Sequence, residues 1–174
     1  FLGWYMVQSG LVHEPRVSHY RLAAHLSLAF ATGAFVLWLA LDGLFVREPA
    51  RRLAPARLAA VYGLLALFAL QVVYGAFMAG THAGYYYTTF PDLNGTFMPG
   101  PSFTGRSWLH DALNSPTAIH YLHRFFGWLV LSYTIGIWVY FRRVEPRPQL
   151  WRAAAWVALL AFVQLNLGAL TVVQ

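Results

Sequence analysis

Four apolar segments set the terms for this chain. Segment A covers about residues 22–45, segment B 58–80, segment C 118–141, and segment D runs from 151 to the end. Each approaches or exceeds the ~20 residues an α-helix needs to cross a bilayer. Each is too long and too uniformly apolar to be a strand of a soluble sheet. The composition agrees. Of 174 residues, 59% are hydrophobic and 10% charged, where roughly 25% charged is usual for a soluble domain. Mean hydropathy is +0.50. So few charges cannot cover a water-soluble globule of this size, and most of the surface is expected to face lipid. The fold class is therefore an all-α integral membrane protein, a multi-pass helical bundle. The same numbers exclude intrinsic disorder. There is no cysteine, so disulfides and thiolate metal sites are excluded.

The basic residues are twelve arginines and no lysine. In a membrane chain this reads as loop orientation rather than nucleic-acid binding. The A–B loop carries Arg47, Arg51, Arg52 and Arg57, and the C–D loop Arg142, Arg143, Arg147 and Arg152. Both loops are short, and two helices separate them, so they share a side. The positive-inside rule makes that side cytoplasmic. The B–C loop and the segment before A are then external, although Arg16, Arg21, Arg106 and Arg124 fall on that side. The chain opens on Phe1 and stops at Gln174 inside an apolar run. It reads as an internal stretch of a longer membrane protein, with residues 1–10 the tail of an earlier helix.

The B–C loop, residues 81–117, is long and rich in Gly, Pro, Asn and aromatic residues. Loops of that length are usually functional or disordered. Tyr85, Tyr86, Tyr87, Phe90, Phe97, Phe103 and Trp108 suit a lid at the membrane interface. Asn94-Gly95-Thr96 fits a glycosylation sequon that chance also supplies.

A weak repeat runs through the chain. Segments A and C open with His25 and His123, 98 residues apart. Segment B holds Gln71 with Gly75-Ala76, and segment D holds Gln164 with Gly168-Ala169, 93 residues later. A–B and C–D thus look like equivalent helix pairs, and repeats in membrane proteins often build a site in or between the halves.

An ionisable side chain inside a membrane helix is costly and so points to function. His25 and His123 both sit just inside the external ends of their helices, and neutral imidazole is a standard axial ligand of haem iron. Ala29 and Thr32 follow His25 on its helical face, and Gly127 and Thr134 follow His123. Small residues there leave room for a porphyrin plane; close helix packing enriches the same residues. Arg124 suits a carboxylate such as a propionate, or snorkels to the interface. His120 is placed to meet a propionate or water. His82 sits at a pocket mouth or simply at the interface. His13, His19 and His110 read as solvated. Gln71, Gln164 and Asn166 read as buried amides bonding between helices. Other chemistries are poorly served. A phosphate loop lacks its lysine, no nucleophile elbow is present, and Asp42 is the sole carboxylate in the four segments.

The ordered motifs resemble the heme A synthase family. They are Gly3-Trp4-Tyr5-Met6-Val7-Gln8-Ser9-Gly10-Leu11, Val17-Ser18-His19-Tyr20-Arg21-Leu22-Ala23-Ala24-His25-Leu26, Gly75-Ala76-Phe77-Met78-Ala79-Gly80-Thr81-His82-Ala83-Gly84, Tyr87-Thr88-Thr89-Phe90-Pro91, His123-Arg124 and Gly168-Ala169-Leu170-Thr171-Val172. The resemblance implies an eight-helix protein of two similar four-helix halves, with two histidine ligands in each. This chain would run from the end of helix three through most of helix seven. Residues 1–80 would then hold the end of the N-terminal half and segment B, which opens the C-terminal half. Residues 81–117 would form an external loop, and 118–174 the next two helices. His25 would be the second ligand of the N-terminal half and His123 the first of the C-terminal half. Each would pair with a histidine outside this chain, not with the other. The family's catalytic acidic residue would lie upstream.

The implied activity is oxidation of the C8 methyl of haem O to a formyl group by successive hydroxylations, giving haem A for cytochrome oxidase. Haem b would be the cofactor and haem O the substrate. Haem iron would be held by His25 and His123, with Arg124 and Gly127 also at the cofactor. The implied partners are haem O synthase, cytochrome oxidase or its assembly factors, membrane lipid, and a further copy in a homo-oligomer. The location would be a bacterial plasma membrane, and the stretch alone is expected to be inactive. The competing reading is a bis-histidine b-type cytochrome subunit that only moves electrons. His120 stands where the family commonly has Gln, His82 falls at a variable position, and the external cysteine pair of some members is missing.

Overall fold

The computed structural model describes residues 3–5, 17–44, 53–98 and 107–173. Its long elements are α1 (His19–Leu44), α2 (Pro55–Gly80), α4 (Pro116–Val144) and α5 (Pro148–Val173), with a short α3 (Trp108–Asn114) and a 3₁₀ turn (Ala83–Tyr86) between α2 and α4. The four long helices have 26, 26, 29 and 26 residues, and all are apolar enough to cross a membrane. At 1.5 Å per residue they run about 39–44 Å, which exceeds a ~30 Å hydrocarbon core. They coincide with segments A to D, each extended by about three residues at its start. Those starts have a common cause. Pro55, Pro116 and Pro148 are the first residues of α2, α4 and α5, where a missing N–H and a preset φ are advantages. Ser115 also caps α4, its Oγ accepting from the Ala118 amide at 3.5 Å. Residues 3–5 are helical; the rest of the stretch expected to be the tail of an earlier helix, with His13, Arg16, Arg47, Arg51, Arg52 and Arg106, lies outside the described residues.

The helices pack in the order α1, α2, α4, α5. α4 is central and buries Ala118, Ile119, His120, Val130, Leu131, Thr134, Ile137 and Phe141. α1 buries only Ala23, and its outward Phe35, Leu37 and Trp38 are more than half exposed, as suits a lipid-facing surface. Ala23, Ala76, Phe77, Ala83 and Ile119 form the buried core. It sits at the end shared by the start of α1, the end of α2 and the start of α4.

The described parts of the loop, residues 81–98 and 107–117, are more structured than an open lid. They contain the 3₁₀ turn and α3, and Ser107 caps α3 by accepting from the His110 amide at 3.1 Å. His19, expected to be solvated, is packed instead. Its Nε2 lies 3.0 Å from the Leu113 carbonyl, and its ring meets Phe77 edge-on at 5.1 Å. Gly80 makes that docking possible. A Cβ there would come within 2.7 Å of the His19 Cα and Cβ.

At the opposite end, the Glu145 side chain is fully buried between two arginines. Arg57 Nη1 donates to its Oε2 at 2.6 Å, and Arg147 Nε donates to its Oε1 at 2.6 Å. Arg57 Nη2 also donates to the Val144 carbonyl. This staple joins the start of α2 to the end of α4. Hydrogen bonds from Arg147, aided by the charges of Arg147 and Arg57 and opposed by burial, lower the Glu145 pKa from the usual 4.5 to about 2. Two arginines that read as free loop charges are thus partly neutralised.

Two predictions follow from this packing. Gly80→Ala should destabilise the bundle by about 1–3 kcal/mol, the usual overpacking penalty, read as a lower melting temperature in detergent. Glu145→Gln should lower the melting temperature at neutral pH. Because the folded pKa is depressed, the wild-type advantage is full above about pH 4.5 and disappears as pH falls toward 2. An advantage that persists unchanged at pH 2 would contradict the staple.

Candidate functional site

The buried stripe of α4 is interrupted between His120 and Val130. On that stretch His123, Arg124 and Gly127 face a cavity of about 1460 Å³. Gln71, Gly75 and Met78 of α2 form a second wall, Gln164 and Gly168 of α5 a third, and His82, Tyr85, Thr88 and Phe90 line its mouth. The volume exceeds the ~300–1,000 Å³ of ordinary small-molecule pockets, and the lining is mostly apolar.

His123 is the distinctive side chain in it. Its Nδ1 is buried without a hydrogen-bond partner, while the ring lines the cavity. The ring rests against α2 where a side chain is missing, since a Cβ on Gly75 would lie 3.3 Å from His123 Cε1. Gly127, one turn further along α4, leaves similar room. A Cβ there would lie 3.4 Å from Gln71 Nε2. Gln71 Oε1 is also buried and unpartnered. The expected interhelical amide bonds are therefore not formed by Gln71 Oε1, nor by the amide nitrogen of Asn166, which donates to Phe162 of its own helix. Gln164 is exposed on the cavity side of α5.

His25 lies elsewhere. It is half-buried on α1 with its Cε1 3.5 Å from where a Gly3 Cβ would be, and it is not among the residues lining the cavity. His120 is completely buried, and both its nitrogens are occupied. Nδ1 is 2.8 Å from the Ala83 carbonyl, and Nε2 accepts from Arg124 Nε at 2.8 Å. This fixes the Nδ1–H tautomer and makes His120 a strut between α4 and the 3₁₀ turn, with no nitrogen left for a propionate.

Arg124 clamps the loop. Nη1 donates to the Thr89 carbonyl at 2.7 Å and to the Asp92 carbonyl at 2.5 Å, and Nη2 donates to the Tyr87 carbonyl at 3.2 Å. With Nε on His120, four of the five guanidinium donors have protein partners, and the group also lies on the cavity wall. Phe90 stacks on Trp128 at 5.8 Å, so the clamped loop forms a wall of the cavity. Within it, Asn94 stands at φ 52 and Gly95 at φ 91, the left-handed turn Asn-Gly favours. Asn94 Oδ1 accepts from the Thr88 amide and Nδ2 donates to the Tyr86 carbonyl. The sequon amide therefore has an internal structural role. His82, in the left-handed region at φ 55, stacks on Tyr85 at 6.4 Å at the cavity mouth.

Sequence reasoning missed two buried carboxylates. One is Glu145. The other is Asp111 on α3, 1% exposed, with Oδ1 3.5 Å from His110 Nδ1. The serines that bracket α3 were a legible sign that this stretch is ordered. Among the described residues no three His, Asp or Glu side chains converge as for a metal ion held by protein groups alone.

Four spanning-length helices around an apolar cavity, with His123 on its wall and His82 at its mouth, define a multi-pass helical membrane protein with an internal site. The comparisons make this specific: the chain belongs to the cytochrome oxidase assembly protein family COX15-CtaA, whose sequence model matches residues 1–174. It is 36% identical to a heme A synthase of Parvibaculum lavamentivorans over 171 residues, which is 98% of this chain and 48% of that protein. It is 37% identical to one of Nitrosospira multiformis, with 96% of this chain and 48% of that protein covered. It is 38% identical to one of Sphingopyxis alaskensis, with 99% and 48% covered. The chain thus spans about half the length of the curated relatives it matches. No solved structure matches it significantly. The family expected from the motifs is the one found.

Arg124→Gln removes charge-assisted bonds of roughly 1.5–3 kcal/mol each. Amides of Thr88 and Asn94 should then exchange with solvent at least about tenfold faster. Unchanged protection would show that the loop holds itself.

Proposed function

We propose that this chain is part of a heme A synthase, a membrane oxidoreductase that converts haem O to haem A, and that the His123 cavity is one of its haem sites. The observation that carries the reading is the His123 ring itself. It stands in an apolar cavity with one nitrogen sealed and unpartnered, beside two glycines whose missing side chains leave space. Those features fit a flat group that takes an imidazole as axial ligand. Haem supplies the redox chemistry when bound.

The residues of this chain bind, orient and exclude water. His123 offers its Nε2 lone pair to the cavity. Gly75 and Gly127 keep the walls flat beside it. Arg124 has one remaining N–H for a propionate while its other donors hold the loop. Phe90 and Trp128 shield the external mouth, and the apolar faces of α1 and α5, through Leu26, Phe30 and Leu160, suit a farnesyl tail. Lateral access through lipid suits so apolar a ligand.

Other assignments belong to the same reading. His25, apart from this cavity, serves as a ligand of the other half of an eight-helix protein, so the two histidines serve different irons. One half holds haem b and the other haem O. Residues 1–80 close the N-terminal half and open the C-terminal one. The Arg-rich loops face the cytoplasm, and the protein lies in a bacterial plasma membrane as a homo-oligomer. It receives its substrate from haem O synthase and serves cytochrome oxidase assembly.

The test uses the full-length protein in a host that makes haem O but no haem A. Extracted membrane haems should include haem A or its hydroxylated precursor, and His123→Ala should abolish both while the protein still accumulates. Haem b alone, with haem O available, would support an electron-transfer cytochrome instead. In purified full-length protein, Gly75→Val should reduce haem content severalfold by pushing on the His123 ring; unchanged content would contradict the placement of the site.

A further inference from the structure

The α2–α4 interface beside the cavity contains an unresolved pair. His123 Nδ1 and Gln71 Oε1 are both sealed from solvent, and neither has a hydrogen-bond partner. Buried polar atoms are nearly always paired, and leaving them orphaned is unfavourable. Water cannot satisfy either atom where it stands.

Their positions bring them close. Gly75 faces the imidazole, with a notional Cβ 3.3 Å from Cε1 and 3.8 Å from Nδ1 of His123. Gln71 lies one turn before Gly75 on α2, and its amide nitrogen faces Gly127, one turn after His123 on α4. The end of α2 and the start of α4 share one end of the bundle, joined by the Ala83–His120 bond, so the two helices run antiparallel. The imidazole and the carboxamide are thus neighbours on facing surfaces, one helical turn apart, with no Cβ on either glycine between them.

The chemistry of the two atoms is complementary. A neutral imidazole has one N–H donor and one acceptor. If the Nε2 lone pair is directed to the cavity, the proton is on Nδ1 and needs an acceptor. Gln71 Oε1 is an acceptor without a donor. Gln164 of the similar Gln-x-x-x-Gly-Ala pattern also lines the cavity, but on α5 and exposed.

We propose that Gln71 is a positioning residue for His123: a turn of its carboxamide lets Oε1 accept the Nδ1–H, which fixes the tautomer that presents Nε2 to the cavity. This rests on the reading of His123 as an axial ligand. Such partners hold the ring and raise its basicity, and a more basic ligand favours the oxidised iron.

The test compares full-length haem-loaded wild type with Gln71→Leu and Gln71→Glu. The midpoint potential of the haem at His123 should rise in Gln71→Leu and fall in Gln71→Glu. Haem transfer to apomyoglobin should be about 10–100-fold faster for Gln71→Leu, the usual cost of losing such a partner, and close to wild type for Gln71→Glu. Gln71→Glu is close in size, so it decides the matter alone if Gln71→Leu does not fold. Potentials that stay unchanged, or move the same way in both variants, would reduce Gln71 to packing and overturn the proposal.

A His123→Ala variant that keeps the wild-type haem spectrum is a different failure, that of the ligand reading. Nitrogen NMR of His123 in the haem-free full-length protein then decides the bond alone. A protonated Nδ1 that Gln71→Leu loses supports it, and a proton on Nε2 overturns it.

Discussion

The site depends on two side chains that are missing. α2 and α4 pack against each other, and at Gly75 and Gly127 their facing surfaces carry no Cβ. Into the first gap goes the His123 ring, and into the second the end of Gln71. A Cβ at Gly75 would press on the imidazole at 3.3 Å, and one at Gly127 would touch the Gln71 amide nitrogen at 3.4 Å. Helix packing in membranes rewards small residues because backbones can then approach. Here the space goes to two polar side chains, and both line a cavity large enough for a bulky apolar ligand.

The two ends of the bundle hold this arrangement in place by different means. At the cavity end the work is done by carbonyls. Arg124 gathers three from the loop and leans on His120, which is itself tied to Ala83. A half-buried cation so held is costly to remove, because its acceptors would lose their partner. At the other end, Glu145 sits between Arg57 and Arg147 and fixes where α2 starts relative to the end of α4. The helices between these anchors cannot slide without breaking one of them, so the level of His123 against Gly75 is set from both ends.

Much of this was legible in the sequence. Spanning length and apolar character located the four helices, but set three of them two to three residues short of the starts that Pro55, Pro116 and Pro148 mark. The cost of an ionisable group in lipid picked out His123, and the i+4 spacing placed Gly127 on its face. The rest depended on tertiary neighbours that no local pattern encodes. His19, His120 and His123 are the same residue type near the same end of the bundle. One caps a packing contact, one is a strut with both nitrogens occupied, and only one faces open space. The pairing of Arg57 with Glu145 spans 88 residues, and Gly75 meets His123 from another helix. Arg124 looked like a ligand for a carboxylate, while most of its donors in fact go to backbone carbonyls of the loop.

The central claim is that His123 holds haem iron from the wall of this cavity. The most direct measurement is the optical and paramagnetic resonance spectrum of full-length His123→Gly, purified with and without imidazole. The account predicts loss of one low-spin bis-histidine signal and its return when imidazole fills the space left by the ring. A His123→Gly protein with the wild-type low-spin spectrum, unaffected by imidazole, would contradict it.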